Sequence, residues 1–280
     1  MIFDDRICDL GEGPLWHPPR QQLFWFDITA ARMLSRDATG PREWRFDRMV
    51  SAAGWVDADT LLIASEVALL RFDLRTGAQE VIAPLEADNP VTRSNDGRAD
   101  PQGGFWIGTM GKAAEPGAGA IWRFHKGELR RLYPGITIPN AICFTPDGRT
   151  AQFTDTVTRR VMRVALDGAG WPKGQPELFL DLTAEGLNPD GAVIDAQGLM
   201  WLAEWGAARV AAYAPDGTRV RTVAFDAPHT SCPALGGDTL YCTSALEGMD
   251  AAARAAHPHA GKTFLAPGIA RGQLEHRVIL

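Results

Sequence analysis

The chain has 280 residues, 45% hydrophobic and 22% charged, so it can bury a sizeable core and has no disordered character. Its 34 acidic and 28 basic residues give a net charge of -6, with the bases scattered rather than massed in a stripe, which argues against nucleic acid as a partner. No apolar run approaches the roughly 20 residues that span a bilayer, and the acidic start MIFDDRICDLGEGP lacks the apolar stretch of a signal peptide.

Cys8, Cys143, Cys232 and Cys242 show neither CxxC spacing nor a dense disulfide framework, so a cytoplasmic protein with free thiols and no membrane partner is expected. Helical periodicity is almost absent, and short apolar runs with β preference dominate.

In chain order the first of these runs is LGEGPLW (10–16), where Glu12 stands between two glycines. PPRQQLFWFDI (18–28) follows, then MLSRDATGP, DADTLLIAS (57–65) and LLRFDLRTGA. TRSNDGRAD (92–100) carries Arg93, Asn95 and Asp96, and runs into DPQGGFWIGTM (100–110) and AIWRFHKGE. IPNAICF (138–144) sets Asn140 after a proline, ahead of TPDGRTAQFTDT (145–156) and VMRVALDGAG. NPDGAVID (188–195) wedges Asp190 between Pro189 and Gly191, before DAQGLMWLAEW (195–205) and VAAYAPDGT. The last are GGDTLYCTSA (236–245), a helix-prone EGMDAAARAAH (247–257) and TFLAPGIARG.

These runs are copies of one unit, a turn followed by a short strand and then a second strand. With Gln21, Asp59, Gly103, Gly148, Gly198 and Asp238 as markers, the unit recurs about every 40 to 50 residues, the length of a four-stranded propeller blade. Six copies predict an all-β, six-bladed β-propeller around a central channel. No linker or composition shift divides the chain, so a single domain over 1–280 is expected, with the helix in a loop of the last blade. Buried indoles at repeated positions would account for nine Trp.

In such a ring the innermost strands line the channel, and their leading ends meet at one mouth. Glu12, Arg93, Asn95, Asn140 and Asp190 each lie at or just before the start of such a strand, beside Pro or Gly residues that fix the backbone. Glu12, Asn140 and Asp190 offer two carboxylates and an amide oxygen. That set suits one hard divalent ion, Ca²⁺, Mg²⁺ or Mn²⁺, with Zn²⁺ less natural in the absence of His or Cys. Without an ion, two carboxylates so confined would repel and one would take up a proton.

The segments LGEGPLWHP, RSNDGRADPQGGFWIGTM, IPNAICFTPDGRTAQFTDT and NPDGAVIDAQGLMWLAEWGAARV resemble the regucalcin/gluconolactonase family, which includes the luciferin-regenerating enzymes. The resemblance continues through TSCPALGGDTLYCTSA and AGKTFLAPGIARGQ, covering nearly the whole chain. It implies a six-bladed propeller that hydrolyses sugar lactones with one divalent ion. It also implies that Glu12, Asn140 and Asp190 hold that ion, and that Arg93 and Asn95 contact substrate. A substrate-contacting Glu that some relatives carry after their GTM motif is matched loosely by Glu115, with Lys112 as the substitute, and Glu204 and Ala207-Ala208 replace the family's usual residues nearby.

Opening a cyclic ester needs a polarised carbonyl, a nucleophile and a proton acceptor. Asp190 is the expected general base, and the Arg93 fork suits hydroxyls or a developing oxyanion. No Ser lies in a G-x-S-x-G elbow. The competing expectations are an organophosphate or aryl-ester hydrolase of the same fold, and a calcium-binding propeller without turnover. Asp96 is expected to lock its own turn, Asp155 to be a weaker candidate for facing the site, and His17, His229 and Cys232 to be structural; His257 and His259 are expected in an exposed loop.

Overall fold

A computed structural model describes residues 1–280, and every strand belongs to one of six four-stranded antiparallel sheets. Five sheets use strands consecutive in the chain. The first takes Gly11–His17, Gln22–Asp27, Arg32–Asp37 and Gly40–Arg45 in that spatial order. The leading strands, Gly11–His17, Val50–Trp55, Thr92–Ala99, Pro139–Phe144, Asn188–Ile194 and Thr230–Gly236, pack each on the next and the sixth back on the first, closing a ring. Burial falls outward from them: Pro139–Phe144 is buried at every residue, whereas the outermost strand Arg219–Ala224 is exposed at all but one. The expected six-bladed propeller is therefore the fold.

All six marker residues fall in the hairpin between the first and second strands of a blade. The turn chemistry explains why that phrase repeats. Asp100 Oδ1 accepts from the backbone N–H of Gln102 and Gly104, both at 2.9 Å, and Asp195 Oδ1 accepts from Gln197 at 2.8 Å and Leu199 at 3.0 Å. Gly103 and Gly198 complete these turns at φ of +87°, a left-handed conformation that costs glycine nothing. Trp25, Trp106 and Trp201, each in the second strand of its blade, are fully buried, and all four cysteines are free and buried.

The sixth blade departs from the simple repeat. It has only three strands from the C-terminal side, Thr230–Gly236, Thr239–Ser244 and Thr263–Ala266, and its outer strand is Ile2–Asp4 from the other end of the chain. Ile2 pairs with Phe264 and Asp4 with Thr263, so the first and last strands close the ring together. The expected helix is Ala251–Ala256, between the second and third strands of this blade, N-capped by the Asp250 carboxylate accepting from Ala253 N–H at 2.8 Å. No helix is long and apolar enough to cross a membrane.

At the trailing ends of the inner strands, the C-terminal segment crosses the ring. Gln273 Nε2 donates to the carbonyls of Phe144 at 3.0 Å and Ile194 at 2.9 Å, Glu275 pairs with Arg98, and Val278 is fully buried. That end is closed. The leading ends are open.

Candidate active site

Each inner strand carries a register shift against its neighbour near its leading end: between Glu12 and Leu15, Val50 and Ala52, Ser94 and Gly97, Asn140 and Cys143, Pro189 and Ala192, and Thr230 and Pro233. A bulge of this kind leaves a residue outside the ladder and re-aims its side chain. Asn95, Asp96 and Asp190 lie inside such bulges, and Glu12 and Asn140 are the last paired residues before theirs. Gly13 at φ +54° and Ala141 at φ +56° make the corresponding left-handed step after Glu12 and Asn140. At Gly13 a Cβ would stand 2.1 Å from the Ser51 carbonyl, so only glycine fits between the first and second blades.

These bulges deliver Glu12, Arg93, Asn95, Asn140 and Asp190 into one cavity of about 510 Å³ at the open mouth. All five are nearly sealed from bulk water. Glu12 Oε2 accepts from Gly13 N–H at 2.9 Å, Asp190 has the Gly191 N–H beside it, and neither carboxylate is paired with an Arg, Lys or His. Burial, then the nearby charge of Asp96, pushes Glu12 up to about 8. Burial and then the charge of Glu12 raise Asp190 well above the usual carboxylate range.

Arg93 Nη1 donates to the Ser94 carbonyl at 2.9 Å and to Asn95 Oδ1 at 2.8 Å. Burial lowers its pKa, while Glu247, Glu12 and Asp190 oppose that shift. Asn95 Nδ2 donates to Asn140 Oδ1 at 3.1 Å and to the Pro139 carbonyl at 3.0 Å. Asn140 Nδ2 donates to Thr156 Oγ1 at 2.9 Å, which turns its oxygen to the same side as Asn95.

The donor set fits a hard divalent cation. Two carboxylates without cationic partners and one amide oxygen line the same cavity, and a bound charge of +2 would offset the burial and the neighbouring negative charges that raise both acids. The cavity lining offers carboxylate, amide and hydroxyl oxygens and no His or Cys, a set suited to hard rather than soft ions.

The remaining candidates divide clearly. Lys112 lines the cavity and bridges to Glu66 at 2.5 Å. Glu115 does not line it; its Oε2 accepts from Ala113 N–H at 3.1 Å within its own loop. Glu204 is fully buried away from the cavity, accepting from Arg209 Nε and Tyr213 OH. Asp155 accepts from Thr137 and Ile138 N–H, both at 2.9 Å, and holds a turn.

Asp96 does not lock its own turn as expected. It is buried, pushed up to about 6 chiefly by burial, and accepts at 2.8 Å from Ile142 N–H in the next blade, a donor that lies within the bulge following Asn140. His17 is buried with its ring nitrogen 3.0 Å from the Asp57 carbonyl, and Cys232 packs beside Gly191.

Thr156, Asn188, Trp205 and Glu247 also line the cavity and are new relative to the sequence reading. Trp205 is backed by His229, stacked at 4.3 Å and 13°. Thr156, Trp205 and Glu247, like Lys112, lie at or just beyond the end of a blade's second strand. Applying the polar-residue search to those strand ends as well would have found Thr156 and Glu247.

Residues 10–246 match the family model described as SMP-30/Gluconolactonase/LRE-like region. A Rhizobium meliloti protein provisionally named a sugar lactone lactonase is 44% identical over 272 residues, covering 94% of this chain and 91% of that protein. The L-arabinolactonase of Azospirillum brasilense is 37% identical over 273 residues, covering 95% and 90%. Among solved structures, a calcium-binding protein, regucalcin, from Agrobacterium tumefaciens superposes with a TM-score of 0.97 at 39% identity, covering 100% of this chain and 97% of that one.

Proposed function

The chain belongs to the SMP-30/gluconolactonase/LRE-like family, and from that premise we propose that it hydrolyses a sugar lactone to the sugar acid with one divalent ion held by Glu12, Asn140 and Asp190. The observation that carries this reading is the meeting, in one cavity, of two buried, unpaired carboxylates, an amide oxygen and a guanidinium. The names of the relatives, an L-arabinolactonase among them, agree with it.

A divalent ion bound there supplies Lewis-acid polarisation of the lactone carbonyl. Asp190 takes the proton of the attacking water. Its carboxylate lies in the cavity with no Arg, Lys or His bonded to it, which leaves an oxygen for that proton, and general-base work of this kind contributes about 10² to 10⁴ in rate. As the ring C–O bond breaks, that proton is available to the departing ring oxygen, leaving a hydroxy acid. Arg93, already fixed through Nη1, turns the rest of its fork to sugar hydroxyls or to the oxyanion. Asn95 is held between Arg93 and Asn140 and orients both.

A calcium-binding role without turnover would have no use for a buried Arg beside the carboxylates. The deciding experiment is ring opening of five- and six-membered sugar lactones, followed by acid release, with and without chelator. Turnover that chelator abolishes and added divalent ion restores supports the reading. A purified protein that opens no lactone under any metal supply removes it.

A further inference from the structure

We infer that Thr156, to which neither the family resemblance nor the donor set assigns a role, is a positioning residue that selects which end of the Asn140 amide faces the ion site. The inference rests on the metal-dependent reading above. Its basis is a run of hydrogen bonds across three blades whose polarity is fixed at both ends. At one end Arg93 can only donate, and its Nη1 reaches Asn95 Oδ1 at 2.8 Å. That leaves the Asn95 amide nitrogen to donate to Asn140 Oδ1 at 3.1 Å.

At the other end the Pro189 carbonyl can only accept, and Thr156 Oγ1 donates its single proton to it at 2.8 Å. The same hydroxyl oxygen then has only lone pairs left, and it accepts from Asn140 Nδ2 at 2.9 Å. Both ends therefore demand the same orientation of Asn140: nitrogen toward Thr156, oxygen toward Asn95 and the cavity. Reversing the amide would set two N–H groups against each other at Asn95.

Thr156 does a second thing in the same contact. Pro189 immediately precedes Asp190, and the Asp190 bulge begins there. One hydroxyl thus ties the amide-bearing strand of the fourth blade to the carboxylate-bearing strand of the fifth, and fixes the spacing of two proposed ion ligands. Outer partners that orient metal ligands commonly govern affinity by about 10- to 100-fold when removed.

The test is calorimetric titration of the metal-stripped protein with Ca²⁺ and with Mn²⁺, alongside melting temperature. Thr156→Val keeps the shape and removes the hydroxyl; it is expected to weaken ion binding about ten-fold or more. Thr156→Ser keeps the hydroxyl and is expected to bind as the unaltered protein does. Thr156→Ala removes the hydroxyl without a branched replacement and has to weaken binding equally, which keeps the test open if the valine variant does not fold.

A double-mutant cycle separates amide selection from general loosening. A carboxylate presents oxygen whichever way it turns, so the Thr156→Val penalty has to shrink in an Asn140→Asp background. Undiminished affinity in both hydroxyl-free variants, or an equal penalty in the Asn140→Asp background, overturns the inference and leaves the lactonase reading standing. An unaltered protein that binds no divalent ion overturns both.

Discussion

Asp190 in the fifth blade feels the charge of Glu12 in the first strongly enough that, after burial, it is the largest cause of the raised pKa of Asp190. Residues far apart in sequence thus share one buried acidic pocket, in which Asp96 is in turn the largest charge acting on Glu12. An acid whose folded-state pKa exceeds its unfolded value binds more protons folded than unfolded, so stability is lost as pH rises through that window. For Glu12 the window runs from the usual 4.5 to about 8. The chelated protein is expected to melt at progressively lower temperature between those limits. A divalent ion replaces the missing protons, so its stabilisation is expected to be larger at pH 8 than at pH 6. At 100 times its Kd an ion contributes about 2.7 kcal/mol, a shift of several degrees in Tm. Calorimetric scans with chelator and with Ca²⁺ at the two pH values check this, and an equal ion effect at both would remove Glu12 from the ion site.

Substitution of the proposed base separates chemistry from binding. Asp190→Asn keeps an oxygen for the ion and loses the proton acceptor, so kcat is expected to fall about 10² to 10⁴-fold. Arg93→Lys keeps charge but not the planar fork, and is expected to lower kcat/KM because a point charge cannot reproduce two oriented donors. Initial rates of acid release measure both. A kcat for Asp190→Asn within a few-fold of the unaltered enzyme would exclude Asp190 as the base.

The blades were legible because the hairpin between first and second strands has demanding turn chemistry, written as Asp100–Gly103 and Asp195–Gly198. Outer strands such as Gly40–Arg45 leave no comparable mark, since they are largely exposed and no core face imposes alternation on them. The closing strand Ile2–Asp4 has three residues and pairs with the far end of the chain, a non-local choice that no local pattern records. The gathering of Glu12, Arg93, Asn95, Asn140 and Asp190 was legible for a physical reason: inner strands are buried, so a polar residue among Pro and Gly stands out there. Lys112, Glu115 and Glu204 were not separable from sequence. The reach of a loop side chain depends on how the loop folds, and only Lys112 turns into the cavity.

That difference predicts three distinct phenotypes. Lys112→Ala is expected to raise KM several-fold with little change in kcat, the Lys112 ammonium being half-exposed and its contacts correspondingly screened. Glu115→Ala is expected to leave both constants unchanged. Glu204→Ala strands Arg209 and the buried Tyr213 hydroxyl, and is expected to lower stability by about 3 kcal/mol while KM holds. Steady-state kinetics with denaturant melts distinguish them. A KM defect in Glu115→Ala as large as that in Lys112→Ala would show that the loop over 111–119 rearranges around substrate.

The closed end of the ring supplies a prediction independent of the chemistry. Arg98 and Glu275 form an ion pair in which the side chains are 8% and 13% exposed, so Glu275→Ala leaves a guanidinium buried without its counter-charge. Removing one partner of such a pair costs about 3 to 5 kcal/mol. The tail has further anchors: the Trp55 indole N–H donates to the Glu275 carbonyl at 2.8 Å, and Val278 N–H donates to the Trp55 carbonyl at 2.8 Å. Backbone contacts survive the substitution, so the segment is expected to stay docked and the loss to appear in stability rather than as a disordered tail. Glu275→Gln retains an acceptor for Arg98 and is expected to lose less than Glu275→Ala. Because the tail lies across the trailing ends of the inner strands, kcat/KM of the folded variants is expected to match that of the unaltered protein at a temperature well below melting. Urea unfolding read against activity at 25 °C tests both halves, and a Glu275→Ala protein with undiminished stability would mean that Arg98 finds water or another carboxylate once the tail charge is gone.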